Sequence, residues 1–131
     1  MFVDASAWTA ILLSENEVDA FEGKLLASDR VLMSAIANWE TVRAIARVSG
    51  RSLPHVQVIL GDYQSRLGTE VALLGKAEED LALQAHARFG KGVHPAKLNM
   101  GDCFAYACAR THGVPLLFKG YDFSLTDIES A

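Results

Sequence analysis

Short apolar runs alternate along this chain with longer segments in which apolar side chains recur every three or four residues. Met1-Phe2-Val3 predicts a first short strand, and Asp4 to Ser6 then opens a helix carrying Trp8, Ile11 and Leu12. A second helix is expected from about Glu17 to Ala27, with Phe21, Leu25 and Leu26 facing inward, followed by a strand at Arg30-Val31-Leu32-Met33. Ser34 suits the N-cap of a long helix to about Val48, with Gly50 at its exit, and Pro54 falls in the first turn of the next helix, which runs to about Leu67. Glu70 to Leu74 is a third apolar strand candidate, and Lys76 to Phe89 has strong helix propensity. Gly90 to Leu98 is a loop broken by Pro95; Asn99 caps a helix from Met100 to about His112, ended by Gly113. Val114 to Phe118 is a fourth strand, and a short last strand is expected near Ile128.

Strands alternating with helices predict a three-layer α/β domain, with a parallel sheet of four to five strands flanked by helices. The 131 residues suit one domain over 1–131, and half of them are apolar, which excludes a disordered chain. The longest uncharged stretches, such as Ala5 to Ser14, are too short to span a bilayer, and no basic leader precedes Asp4, so a cytoplasmic location without membrane contact is the expectation. Cys103 and Cys108 lie five apart on different faces of a helix and lack histidines at zinc spacing; both read as reduced packing residues.

A net charge of −4 argues against a strong general nucleic-acid binder. The charge is uneven, however. Between His86 and Lys119 stand Arg88, Lys91, Lys97, Arg110 and Lys119 against the single acid Asp102, while the rest of the chain holds seven bases and fifteen acids. One basic region can still hold a phosphate backbone.

In parallel sheets, sites collect at the carboxyl ends of strands. Asp4 follows the first strand directly and Asp122 follows the fourth, so both belong to that edge. Taken singly, each acid has an ordinary explanation: Asp4 a helix cap, Glu40 a surface partner of Arg43, Asp102 an acid complementing a helix dipole, Asp122 an Asx-turn. Their surroundings are poor for solvated charges. Asp4 ends an apolar strand, Glu40 shares a helix face with Ile36, Ala37 and Ala44, Asp102 precedes Cys103-Phe104-Ala105, and Asp122 lies between Tyr121 and Phe123. Four converging carboxylates repel one another unless a divalent cation reverses the sign, and hard oxygen donors select Mg²⁺ or Mn²⁺.

The strings VDASA (Val3 to Ala7), NWETV (Asn38 to Val42), LNMGDCFAYA (Leu98 to Ala107) and LLFKGYDFSLTDI (Leu116 to Ile128) resemble the PIN-domain nucleases, and specifically the VapC toxins of VapBC toxin–antitoxin pairs. The resemblance covers essentially the whole chain. It implies a metal-dependent endoribonuclease whose acids are Asp4, Glu40, Asp102 and Asp122, with Ser6 at a small hydroxyl position beside the first acid and Asn99 as an asparagine near the site. It further implies a five-stranded sheet, a homodimer, a neutralising VapB antitoxin, operator DNA reached only through that antitoxin, and structured RNA, tRNA foremost, as substrate. The role of Asp127, in the matching tail, stays open. Lys91, Lys97 and Lys119 are candidate phosphate contacts, and Trp8 and Trp39 belong either to the core or to a partner groove. Three rivals remain. An aspartyl phosphatase needs a second Asp where Ser6 stands, a PIN-like domain acting on DNA is usually longer and carries an arch or clamp insertion that this sequence lacks, and a non-catalytic RNA-binding or assembly module would not need four intact acids.

Overall fold

The computed structural model describes residues 1–131. Its elements, in chain order, are β1 (Phe2–Val3), α1 (Ala5–Leu12), α2 (Val18–Leu26), β2 (Leu32–Met33), α3 (Ala35–Ser49), α4 (Leu53–Arg66), β3 (Glu70–Val71), α5 (Lys76–Phe89), α6 (Met100–His112) and β4 (Leu116–Leu117), followed by a 3-10 turn over Phe123–Leu125. The strands form one parallel sheet in the order β3-β2-β1-β4, with Phe2 beside Leu32 and Leu116.

Strand alternation divides the core into two. Phe2, Leu32 and Leu116 pack with α5, α6 and Phe123 on one face. Val3, Val31 and Leu117 pack with α1, α2 and Leu60 of α4 on the other. The three-layer α/β expectation is therefore met. The fifth strand is present only as a single bridge between Leu116 and Ser130. The candidate strand at Glu70 to Leu74 shortens to Glu70–Val71 and lies at the sheet edge, which is why Val71 and Leu73 stay exposed although their residue types suggested an interior.

The helix starts follow their local chemistry. Ser34 accepts from the Ala37 N–H, Asn99 from the Asp102 N–H, and Asp4 from the Ser6 N–H. Gly50 and Gly113 end α3 and α6 in the left-handed conformation that a Cβ disfavours. Cys103 and Cys108 are free and buried, and burial pushes their thiols up to about 11 and about 12, which keeps them inert. Trp8 is fully buried core, edge-on to Tyr63, whereas Trp39 is exposed with Arg43 over its ring. Trp39 and Arg43 help line a groove of about 680 Å³ between α3 and α4. No helix is long and apolar enough to cross a membrane.

Candidate active site

Asp4 sits where β1 ends, its backbone N–H held by the Leu117 carbonyl of β4. The residue is only 3% exposed. Its Oδ2 accepts from the Ser6 N–H at 2.9 Å and from the Ser6 hydroxyl at 2.5 Å. Burial raises the Asp4 pKa, and the Ser6 bonds oppose that rise because they favour the carboxylate. Ser6 in turn accepts from the Lys119 N–H at 3.0 Å, so its hydroxyl proton is left to point at Asp4.

Asp102 is fixed by a reciprocal capping box. Its Oδ2 accepts from the Asn99 N–H at 2.8 Å while Asn99 Oδ1 accepts from the Asp102 N–H at 3.1 Å. One carboxylate oxygen is thereby committed, and Oδ1 is free of hydrogen bonds. Despite the box, the Asp102 carboxyl is pushed up to about 7, first by burial and then by the charges of Asp4, Glu40 and Asp122. Glu40 rises as well, through burial and then through Asp4. These mutual influences identify one electrostatic site built from four separate segments of chain.

Gly101 explains how Glu40 gets there. A Cβ built on Gly101 would coincide with the Glu40 carboxylate, which lies directly against the first turn of α6. Only glycine leaves that space. The adjacent positions Gly101 and Asp102 therefore bring two acids together, one carried by the helix and one admitted beside it. In the sequence, the signal for this space is a glycine inside the first turn of a helix, where propensity disfavours it.

Asp122 precedes the 3-10 turn, exposed, and meets the group through its charge on Asp102. As they stand, no three His, Cys, Asp or Glu side chains converge tightly enough to hold an ion. The like charges that raise the pKa values of Asp102 and Glu40 are what a bound cation would relieve. The donor set fits a hard divalent cation: all oxygens, no thiolate or imidazole, a buried carboxylate at its centre and a free oxygen on Asp102.

The remaining candidates divide. Asp127 takes the Tyr106 hydroxyl at 2.7 Å and Arg88 at 2.9 Å, so it ties the tail to α5 and α6. Lys91 and Lys97 are exposed on the Gly90–Leu98 loop, Lys97 at a positive φ of 52°. Lys119 lies beside the site, but its ammonium pairs with Glu15 at 2.5 Å and Glu17 at 2.9 Å. Glu15 and Glu17 were not singled out in the sequence, because a contact across about a hundred residues leaves no local trace.

Fold comparison places the chain close to the crystal structure of Mycobacterium tuberculosis VapC20, described as a toxin that cleaves the sarcin–ricin loop: the TM-score is 0.78, at 18% identity, over 99% of this chain and 97% of that one. That likeness defines a PIN-type fold. Residues 1–129 match the PIN domain family. The sequence is 36% identical to ribonuclease VapC of Mycolicibacterium smegmatis, over 98% of this chain and 97% of the relative. It is also 36% identical to ribonuclease VapC30 of Mycobacterium tuberculosis, over 98% of this chain and 95% of that one. The chain belongs to the PIN-domain family, among the VapC ribonucleases.

Proposed function

We propose that the protein is a Mg²⁺- or Mn²⁺-dependent endoribonuclease toxin that hydrolyses phosphodiester bonds of a structured RNA, with tRNA the first candidate, and that a VapB-type antitoxin neutralises it. The observation that carries this reading is the Asp102 carboxyl, pushed up to about 7 by burial and by three other acids in spite of a complete capping box. Acids brought together against their own repulsion have a use that structure alone does not require.

Asp4, Asp102 and Asp122 would hold the cation, with Glu40 completing the set. When bound, the ion supplies charge for the phosphoryl oxygens and makes an attacking water more acidic. The chain supplies orientation. Ser6 fixes Asp4 and favours its carboxylate form, the Asn99 N–H does the same for Asp102, and Gly101 lets Glu40 reach them. No side-chain nucleophile is needed. Lys91 and Lys97, solvated on their loop, are free to meet the RNA backbone. An unpaired loop of RNA suits an open site because its backbone is accessible.

The test is to incubate the purified, antitoxin-free chain with total RNA and Mg²⁺ or Mn²⁺, beside EDTA and Asp4→Asn controls. Discrete cuts that vanish in both controls establish the activity and identify the RNA. A folded protein that binds RNA and cuts none with either metal is a binding module instead.

A further inference from the structure

Lys119 is a cation beside a site for a polyanion, yet it does not face outward as a free charge. Its ammonium is held between two carboxylates, Glu15 and Glu17, that belong to the turn joining α1 and α2. The three side chains are similarly half-exposed, at 36%, 35% and 38%. Solvent screens such pairs, so they add little to global stability. A lysine carrying two partners is also a poor phosphate ligand, since binding RNA would require breaking both.

The geometry gives the pair of bridges another use. Lys119 stands two residues past β4, just before Gly120, whose φ of 102° turns the chain toward Asp122. Its own N–H reaches the Ser6 hydroxyl at 3.0 Å, and that hydroxyl donates to Asp4 Oδ2. A hydroxyl has one proton. Once the Lys119 N–H occupies a lone pair of Ser6 Oγ, the proton is directed to Asp4. One residue therefore fixes the orientation of the acid after β1 through its backbone, and the start of the segment that carries Asp122 through its side chain.

We propose that Lys119 is a positioning residue of the active site: its ion pairs with Glu15 and Glu17 clamp the chain leaving β4, so that its N–H sets the Ser6 hydroxyl and, through it, the Asp4 carboxylate. The inference rests on the nuclease reading for its effect on turnover, but not for the clamp itself.

The decisive variant is the double substitution Glu15→Gln with Glu17→Gln, which releases the clamp while leaving the lysine in place. Both glutamates are surface residues, and circular dichroism checks that the fold is kept. RNA cleavage in Mg²⁺ is measured at varied substrate, and amide hydrogen exchange over residues 119–122 is followed in the metal-free chain. The clamp predicts a kcat lower by about 10- to 100-fold with KM nearly unchanged, the scale expected when reacting groups lose alignment. It also predicts faster exchange of the Lys119 amide, and near-normal behaviour for Lys119→Arg, which can keep both ion pairs. An unchanged kcat, or a lower KM as the unmasked lysine grips phosphate, overturns the proposal. If the wild-type chain cuts no RNA, the nuclease reading fails by itself, and the exchange data still decide the clamp: equal exchange in the wild type and the double variant overturns it.

Discussion

Helices α5 and α6 pack against each other and begin alike. In each, an acid at the third position accepts from the N–H of the cap residue at 2.8 Å: Glu78 from Gly75, Asp102 from Asn99. Gly75 has no side chain, so only the acid half of its box is made. The two acids nevertheless titrate in opposite directions. Backbone hydrogen bonds hold Glu78 below the ordinary carboxylate range, whereas Asp102 is pushed up to about 7. The acid's half of the motif is the same; the neighbours differ. Glu78 meets Thr111 and His112, and Asp102 meets Asp4, Glu40 and Asp122. A capping acid is structural until other acids are brought to it from elsewhere in the chain.

The sharpest way to separate the two helix starts is Asp102→Asn against Glu78→Gln. Asp102→Asn should cost about 10³-fold or more in cleavage, roughly 4 kcal/mol of transition-state stabilisation, with no loss of fold. Glu78→Gln should leave cleavage rates unchanged. Equal losses in the two variants would falsify the distinction.

Gly101→Ala probes the neighbour effect without touching an acid. The added methyl takes the place of the Glu40 carboxylate, the mobile end of a side chain, which must swing away. Cleavage should fall about 100-fold. Thermal stability should hold or rise, since alanine exceeds glycine in helix propensity by up to about 1 kcal/mol. A destabilised but fully active variant would mean that Glu40 does not act where it lies.

The comparison also has a pH signature. A carboxyl whose folded pKa is raised binds more protons folded than unfolded, so the stability it contributes is present at low pH and lost as pH rises. For Asp102 that window runs from the ordinary value of 3.8 to about 7. Metal-free protein in EDTA should therefore lose Tm between about pH 4 and pH 7, and Asp102→Asn should flatten the decline. Glu78, held low, works in the opposite sense: its contribution is present above the unfolded carboxylate pKa and lost as pH falls. Adding Mn²⁺ at pH 7 should restore Tm in the wild type, because a ligand that binds only the folded state stabilises it. An EDTA Tm that climbs with pH in the wild type, and is unaltered by Asp102→Asn, would remove the case for a strained acid group.

The smallest effect belongs to the structural member of the pair. Glu78→Gln weakens one charged bond to a helix start and should lower stability by about 1 kcal/mol in urea titrations.

Much of this was legible along the chain. Ser34, Asn99 and Gly113 marked helix ends that fell where their chemistry placed them, and α5 spans Lys76–Phe89 as propensity indicated. Such signals act within one helical turn. The strands were located but overextended, because an apolar run states its preference for burial and not its place in the sheet; at β3 the edge position wins. The acids could be named through their apolar neighbours and the family resemblance. Their mutual raising of pKa, the space that Gly101 leaves for Glu40 and the grip of Glu15 and Glu17 on Lys119 could not, since each joins residues distant in sequence.

The bare α-carbon at position 101 also bears on inheritance. Every missense change at a glycine codon adds at least one carbon, and here that carbon displaces Glu40 while the acids themselves remain in the sequence. On the proposed nuclease function, a single-nucleotide change from glycine to alanine here disarms the protein while every acid stays in the sequence. Reading intact acids off such a descendant gene would then overstate what it can do.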